Sequence, residues 1–126
     1  MVNLLFVGIG SAFGGIVRYW IGLHVKSGGS FPIATCIVNL VGSLLIGLLS
    51  GWLERSYSQS SLAPMIRSFA VIGFCGGFTT FSTFSNEIFR MLHHSQYGAA
   101  FLYLSISILA GLGAVFAGYA IATSVG

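Results

Sequence analysis

Four apolar stretches, 3–25, 31–53, 65–91 and 98–124, take up nearly all of the 126 residues. About 20 residues of helix cross the hydrocarbon core of a bilayer, and each stretch is long enough. Inside lipid every backbone N–H and C=O must be bonded within the protein, so the stretches are predicted to be helices. The connections are short and polar, and nothing is left over for a soluble domain. The chain reads as an all-α integral membrane protein, one domain over residues 1–126 with four transmembrane helices. Only 6% of residues are charged and the mean hydropathy is +0.95, more apolar surface than a domain this small could bury in water.

The few polar residues exclude several classes of function. Five basic residues, Arg18, Lys26, Arg55, Arg67 and Arg90, stand against two acids, Glu54 and Glu87. They are scattered, so no basic stripe for nucleic acid exists. Cys36 and Cys75 fall within spans without CxxC spacing and read as small buried apolar residues. His24, His93 and His94 stand at span ends, where interfacial solvation is their default role. No nucleophile and base pair or metal cluster can be assembled, so an enzyme is not expected. Residues 1–17 lack the basic start of a secretory signal and run through Arg18 into more apolar sequence, which makes them part of a first span.

Charge placement speaks to assembly. With four spans, both termini and the second connection share one side, which carries Arg55 and Arg67. The other side carries Lys26 and Arg90, with Arg18 added if it snorkels that way. So small a bias barely specifies orientation. A chain that inserts both ways up can pair with its own inverted copy, so an antiparallel, dual-topology homodimer is expected, its two-fold axis in the membrane plane. Glycines spaced by four, Gly10 and Gly14, Gly47 and Gly51, Gly73 and Gly77, permit close helix contact within one chain or between two.

The chemistry is concentrated in the third stretch, which from Gly73 reads Gly-Phe-Cys-Gly-Gly-Phe-Thr-Thr-Phe-Ser-Thr-Phe-Ser-Asn-Glu. Adjacent Gly76 and Gly77 each weaken a helix by roughly 1 kcal/mol relative to alanine. The hydroxyls of Thr79, Thr80, Ser82 and Thr83 compete for backbone bonds. Two readings are open: a third helix broken near its middle, between Gly76 and Thr80, or a kinked helix whose hydroxyls bond back to the turn below. A break at membrane depth exposes carbonyls that hold a cation and amides that favour an anion. An oxygen cage without a carboxylate suits a monovalent hard ion such as sodium better than a divalent one.

Gly76-Gly77-Phe78-Thr79-Thr80-Phe81-Ser82-Thr83-Phe84 resembles the third-helix signature of the Fluc/CrcB family of fluoride channels. Gly14-Gly15-Ile16-Val17-Arg18-Tyr19 is similar to that family's first-helix motif, and Thr35 to Gly42, with Asn39, to its second. The resemblance implies a passive fluoride-selective channel in the bacterial inner membrane that releases toxic fluoride from the cytoplasm. It implies two pores per dual-topology homodimer, with a structural sodium at the dimer centre. Carried over by residue, it implies sodium on the carbonyls of Gly76 and Thr79, pore phenylalanines at Phe81 and Phe84, and pore-lining Asn39 and Ser107. Thr35, Tyr103, Ser82, Thr83 and Glu87 become further pore or vestibule candidates, and Arg18 a structural or vestibule residue.

The bland alternatives are specific. Asn39 equally serves as interhelical glue. Ser107 reads first as a hydroxyl bonded back to its own helix, Arg18 as a snorkelling or capping residue, and the phenylalanines as packing. The rival function is a small proton-coupled cation or multidrug transporter, also four-helix and dual-topology. Its coupling needs a carboxylate in mid-membrane, whereas Glu54 is expected in a loop and Glu87 toward the end of the third span.

Overall fold

The computed structural model describes residues 1–25, 29, 31–57 and 59–125. All regular structure among them is helical: α1 (Val2–His24), α2 (Ile33–Ser56), α3 (Ala63–Ile66), a π-helical segment (Arg67–Cys75), α4 (Gly76–Phe78), α5 (Phe81–His93) and α6 (Tyr97–Ser124). Four helical stretches, Val2–His24, Ile33–Ser56, Ala63–His93 and Tyr97–Ser124, are long and apolar enough to cross a membrane. The bounds lie within three residues of those read from the sequence. Lys26, one of the residues used to weigh orientation, falls outside the described residues.

One boundary needs correcting. Glu54, expected in a loop, lies in the last turn of α2, and its carboxylate accepts a 2.9 Å hydrogen bond from the Tyr119 hydroxyl of α6. The helix runs on because Leu53, only 1% exposed, is anchored against its neighbours, and leucine, glutamate and arginine in succession are good helix formers.

Two close helix pairings organise the chain. α2 lies along α6, and α1 lies along the π-helical segment and α4. Both depend on glycine. A Cβ at Gly10 would run into the Phe69 carbonyl and one at Gly14 into the Phe74 carbonyl; across the other pairing, one at Gly47 would meet the Val115 carbonyl. Gly73 and Gly77 answer from the third span, facing Val7, Gly10 and Ser11. All three glycine spacings are therefore used within the chain.

This contact predicts a contrast between adjacent residues. Gly14→Val should destabilise the purified protein, because the obstruction is backbone that has no rotamer to escape into; overpacking of this kind costs about 1–3 kcal/mol or more. Gly15→Ala should not, since a Cβ there meets nothing within 4 Å. Thermal unfolding in detergent, followed by tryptophan fluorescence, separates the two. Equal losses at both positions would show that the overlap at Gly14 is not the cause.

A small apolar core forms at one end, where Phe84 and Met91 of α5 meet Ala100 and Tyr103 of α6, with Phe31 and Cys36 packed against them. It holds α5 and α6 together beside the region where the third span changes course.

Candidate functional site

The third span changes course at two residues. α4 ends at Phe78; Thr79 (φ −84°, ψ 159°) and Thr80 (φ −150°, ψ 116°) are extended, and α5 begins at Phe81. Three side chains hold this geometry. The Asn39 amide of α2 clasps the backbone of Thr80 from both sides: its Oδ1 accepts from the Thr80 N–H at 2.9 Å and its Nδ2 donates to the Thr80 carbonyl at 3.2 Å. Thr80 then caps α5, its hydroxyl accepting from the Thr83 N–H at 3.3 Å. The Thr79 hydroxyl bonds back to the Cys75 carbonyl at 2.8 Å and closes the end of α4.

These bonds redirect the backbone. In an uninterrupted helix the Thr80 N–H would return to the Gly76 carbonyl and the Thr83 N–H to the Thr79 carbonyl. Both amides are engaged elsewhere. The two carbonyls named from the resemblance are thus among those whose helical donors have been taken away. The next one, on Gly77, receives a 3.2 Å hydrogen bond from Arg18 Nε of α1. Arg18 therefore does not reach for the interface as a snorkelling side chain would. It brings a cation to the carbonyl end of a neighbouring helix, where the dipole favours one.

Beyond Thr80 the candidates fall into two groups. In the first, Phe84 (9% exposed) and Tyr103 (0%) are buried and meet edge to face, with centroids 5.0 Å apart and planes at 60°. Phe31 also packs edge to face on Tyr103, with centroids 5.3 Å apart. Glu87 completes this group: Oε1 accepts from the Tyr103 hydroxyl and Oε2 from the Thr35 hydroxyl, both at 3.0 Å. Ser107 comes one turn after Tyr103 on α6 and so shares its face. Its Oγ is buried without a hydrogen-bond partner, the one such side-chain atom among the described residues. Back-bonding, the ordinary fate of a serine in an apolar helix, does not occur here.

The second group faces outward. Phe81 is 80% exposed although its ring lies 6.1 Å from that of Phe84, and Ser82 and Gly76 are also exposed. Two open grooves flank the interruption. One of about 280 Å³ is lined by Arg18, Thr35, Thr80 and Thr83; the other, of about 310 Å³, by Asn39, Ser43, Thr79, Thr80 and Phe81. Thr80 lines both. Its part as clasped residue and cap was missed in the sequence, although a threonine three residues before Thr83 at the start of an amphipathic stretch is a capping signal.

Comparison with known proteins places the chain. Residues 5–119 match the family described as CrcB-like protein, Camphor Resistance (CrcB). The chain is 40% identical over 124 residues, 97% of its own length and 98% of the relative's, to a protein of Flavobacterium psychrophilum named fluoride-specific ion channel FluC. It is 43% identical over 119 residues to a protein of that name from Chlorobaculum tepidum, covering 94% of this chain and 92% of the relative, and 41% identical over 122 residues to one from a Methylobacterium strain, covering 96% of each. A family match over this span, with relatives matched along almost their entire lengths, shows that the chain belongs to the CrcB-like family.

Proposed function

We propose that the chain is a passive, fluoride-selective channel of the bacterial inner membrane, working as an antiparallel homodimer in which a single four-helix domain from each copy contributes to two pores. The observation that carries this reading is the Ser107 hydroxyl. A buried polar group left unpaired costs about 1–3 kcal/mol, and it sits one turn from an aromatic pair whose ring edges carry partial positive charge. Such a group is a donor held in reserve for a ligand without hydrogens of its own. Asn39 adds a second: one of its two amide hydrogens is engaged by Thr80, and the other is left to donate. Fluoride needs close hydrogen-bond donors to replace its water, and a pore that releases it again needs them uncharged. Phe81, exposed in the single chain, finds its surroundings when a second copy closes the groove beside it.

The carbonyls of Gly76 and Thr79 fit a sodium ion. They are neutral, hard oxygens deprived of their helical donors, and neither of the chain's two glutamates, Glu54 and Glu87, is adjacent to them in the third-span interruption. Two from each copy would hold it, and the ion, when bound, supplies a positive charge at the centre of the pair.

Fluoride release from liposomes holding the purified protein, followed with a fluoride electrode beside a matched chloride experiment and a proton-gradient control, tests the reading. Rapid fluoride release without chloride or a proton gradient is expected. Transport only of cations against protons would overturn it in favour of the multidrug-type transporter. Ser107→Ala should slow fluoride roughly ten- to a hundredfold, the worth of one hydrogen bond to a charged partner at about 1.5–3 kcal/mol. Its thermal midpoint should hold or rise, because the variant buries no orphan hydroxyl.

A further inference from the structure

Glu87 borders a hollow apart from the two grooves at the interruption. With Phe31, Arg90, Met91, His94 and Gln96 it lines an open basin of about 320 Å³ where α5 ends and α6 is about to begin. Arg90 comes three residues after Glu87, so the two share a face of α5, and His94, the residue that ends the helix, lines the basin with them. Arg90 is exposed and makes no hydrogen bond or ion pair among the described residues. Glu87 does not pair with it directly, for both carboxylate oxygens are occupied by the hydroxyls of Thr35 and Tyr103. The floor is apolar, with Met91 3% exposed. An exposed guanidinium over a low-dielectric floor, its charge only partly offset by the Glu87 carboxylate one turn away, attracts anions more strongly than one in open water.

We infer that this basin is an anion-loading site in which Arg90 gathers a small, hard monovalent anion at the threshold of the Thr35–Glu87–Tyr103 cluster. The inference rests on the channel reading and adds to it where the ion is collected. The positions of charge and donors divide the work. Arg90 raises the local concentration of fluoride, and Gln96 and His94 offer N–H groups to an ion beginning to lose its water. The carboxylate of Glu87, one turn away, keeps residence short by repulsion. Arg90 therefore governs how often an ion enters, while selectivity is decided further along by uncharged donors. In an antiparallel pair one basin opens on each side of the membrane.

The test is fluoride efflux at sub-saturating fluoride for Arg90→Lys, Arg90→Gln and Arg90→Glu, with an impermeant salt equal on both sides. At about 0.01 M ionic strength the Debye length is about 30 Å and at about 1 M it is about 3 Å. At the lower value the rates should rank by charge, with Arg90→Lys within about twofold of the unaltered protein, Arg90→Gln down about three- to fivefold and Arg90→Glu down about tenfold or more. At the higher value all four should converge, and the fluoride-to-chloride ratio should not change at either. Arg55→Gln, which removes an exposed charge from the last turn of α2, should leave the rate unaltered.

An unchanged rate for Arg90→Glu at low ionic strength would overturn the inference. So would a loss that persists at about 1 M, where a steered encounter is screened, or a loss of equal size in Arg55→Gln. If Arg90→Glu fails to fold, Arg90→Gln against Arg90→Lys makes the same comparison. Silence of the unaltered protein toward fluoride is a different result and would remove the channel reading itself.

Discussion

Phe84→Ile is expected to stop fluoride flux, by about a hundredfold or more, equivalent to about 2.7 kcal/mol on the barrier, in protein that still purifies folded. Isoleucine restores much of the volume beside Tyr103, so the loss in stability is confined to the edge-to-face contact, about 0.5–1.5 kcal/mol. What isoleucine cannot restore is a ring whose edge is positive. An anion passing an uncharged wall depends on that edge, since the cation nearest the interruption does not replace it: Arg18 is engaged with the Gly77 carbonyl. Phe81→Ile is the companion variant. Phe81 is 80% exposed in the chain, so its replacement costs little within one copy, and lost flux there would support the proposal that a second copy closes this surface. Liposome efflux beside a thermal midpoint separates the outcomes. Unchanged flux in both variants would remove the phenylalanines from the ion path, and a collapse of the midpoint with Phe84→Ile would return that residue to the core.

The second large effect belongs to Asn39→Ala, with a different signature. The alanine variant abandons both the N–H and the carbonyl of Thr80, and each unsatisfied group costs about 1–3 kcal/mol. Flux and thermal midpoint should therefore fall together, whereas Ser107→Ala should lose flux alone. Efflux and unfolding measured on the same preparations distinguish them. Lost flux with an unchanged midpoint would make Asn39 a lining residue and nothing more; an unchanged midpoint and unchanged flux would show the clasp to be dispensable.

The expected duality of Asn39, glue or pore lining, illustrates what a sequence conveys about such a site. Its place in the middle of an apolar span marks it as costly and purposeful, but its partner is a backbone 41 residues away, and no local pattern reports that. The spans themselves were legible because the bilayer imposes a length and a composition on them. The glycine spacings were legible as contacts but not as contacts within the chain, since a close approach reads the same whichever helix makes it. For Arg18 snorkelling and capping were both open, and its Nε follows the second, donating to the Gly77 carbonyl at the end of a neighbouring helix. Snorkelling is judged from distance to the interface, while the acceptor of Arg18, the Gly77 carbonyl, is free only because of the interruption two residues later. Glu54 was misplaced because charge was taken to end a helix that Leu53 had already anchored. The exposure of Phe81 beside the burial of Phe84 lay beyond any periodicity, because two residues three apart share a face without sharing an environment.

The π-helical winding of Arg67–Cys75 has no compositional signal at all, and it fixes the rotational phase of the rest of the third span. A residue added to or removed from an α-helix turns the downstream residues by about 100°; π turns absorb additional residues into wider loops of backbone. Over this segment they bring Gly73 and Gly77 both to face α1, against Val7 and Ser11. A chain shortened by one residue between 67 and 75 would still be long enough for the bilayer and just as apolar. Rewound as α-helix, it would swing Gly77 away from Ser11 and offer the Thr80 N–H to lipid instead of to Asn39. Membrane insertion would not notice the deletion, but the ion path would, so in this stretch residue count is under tighter constraint than residue identity.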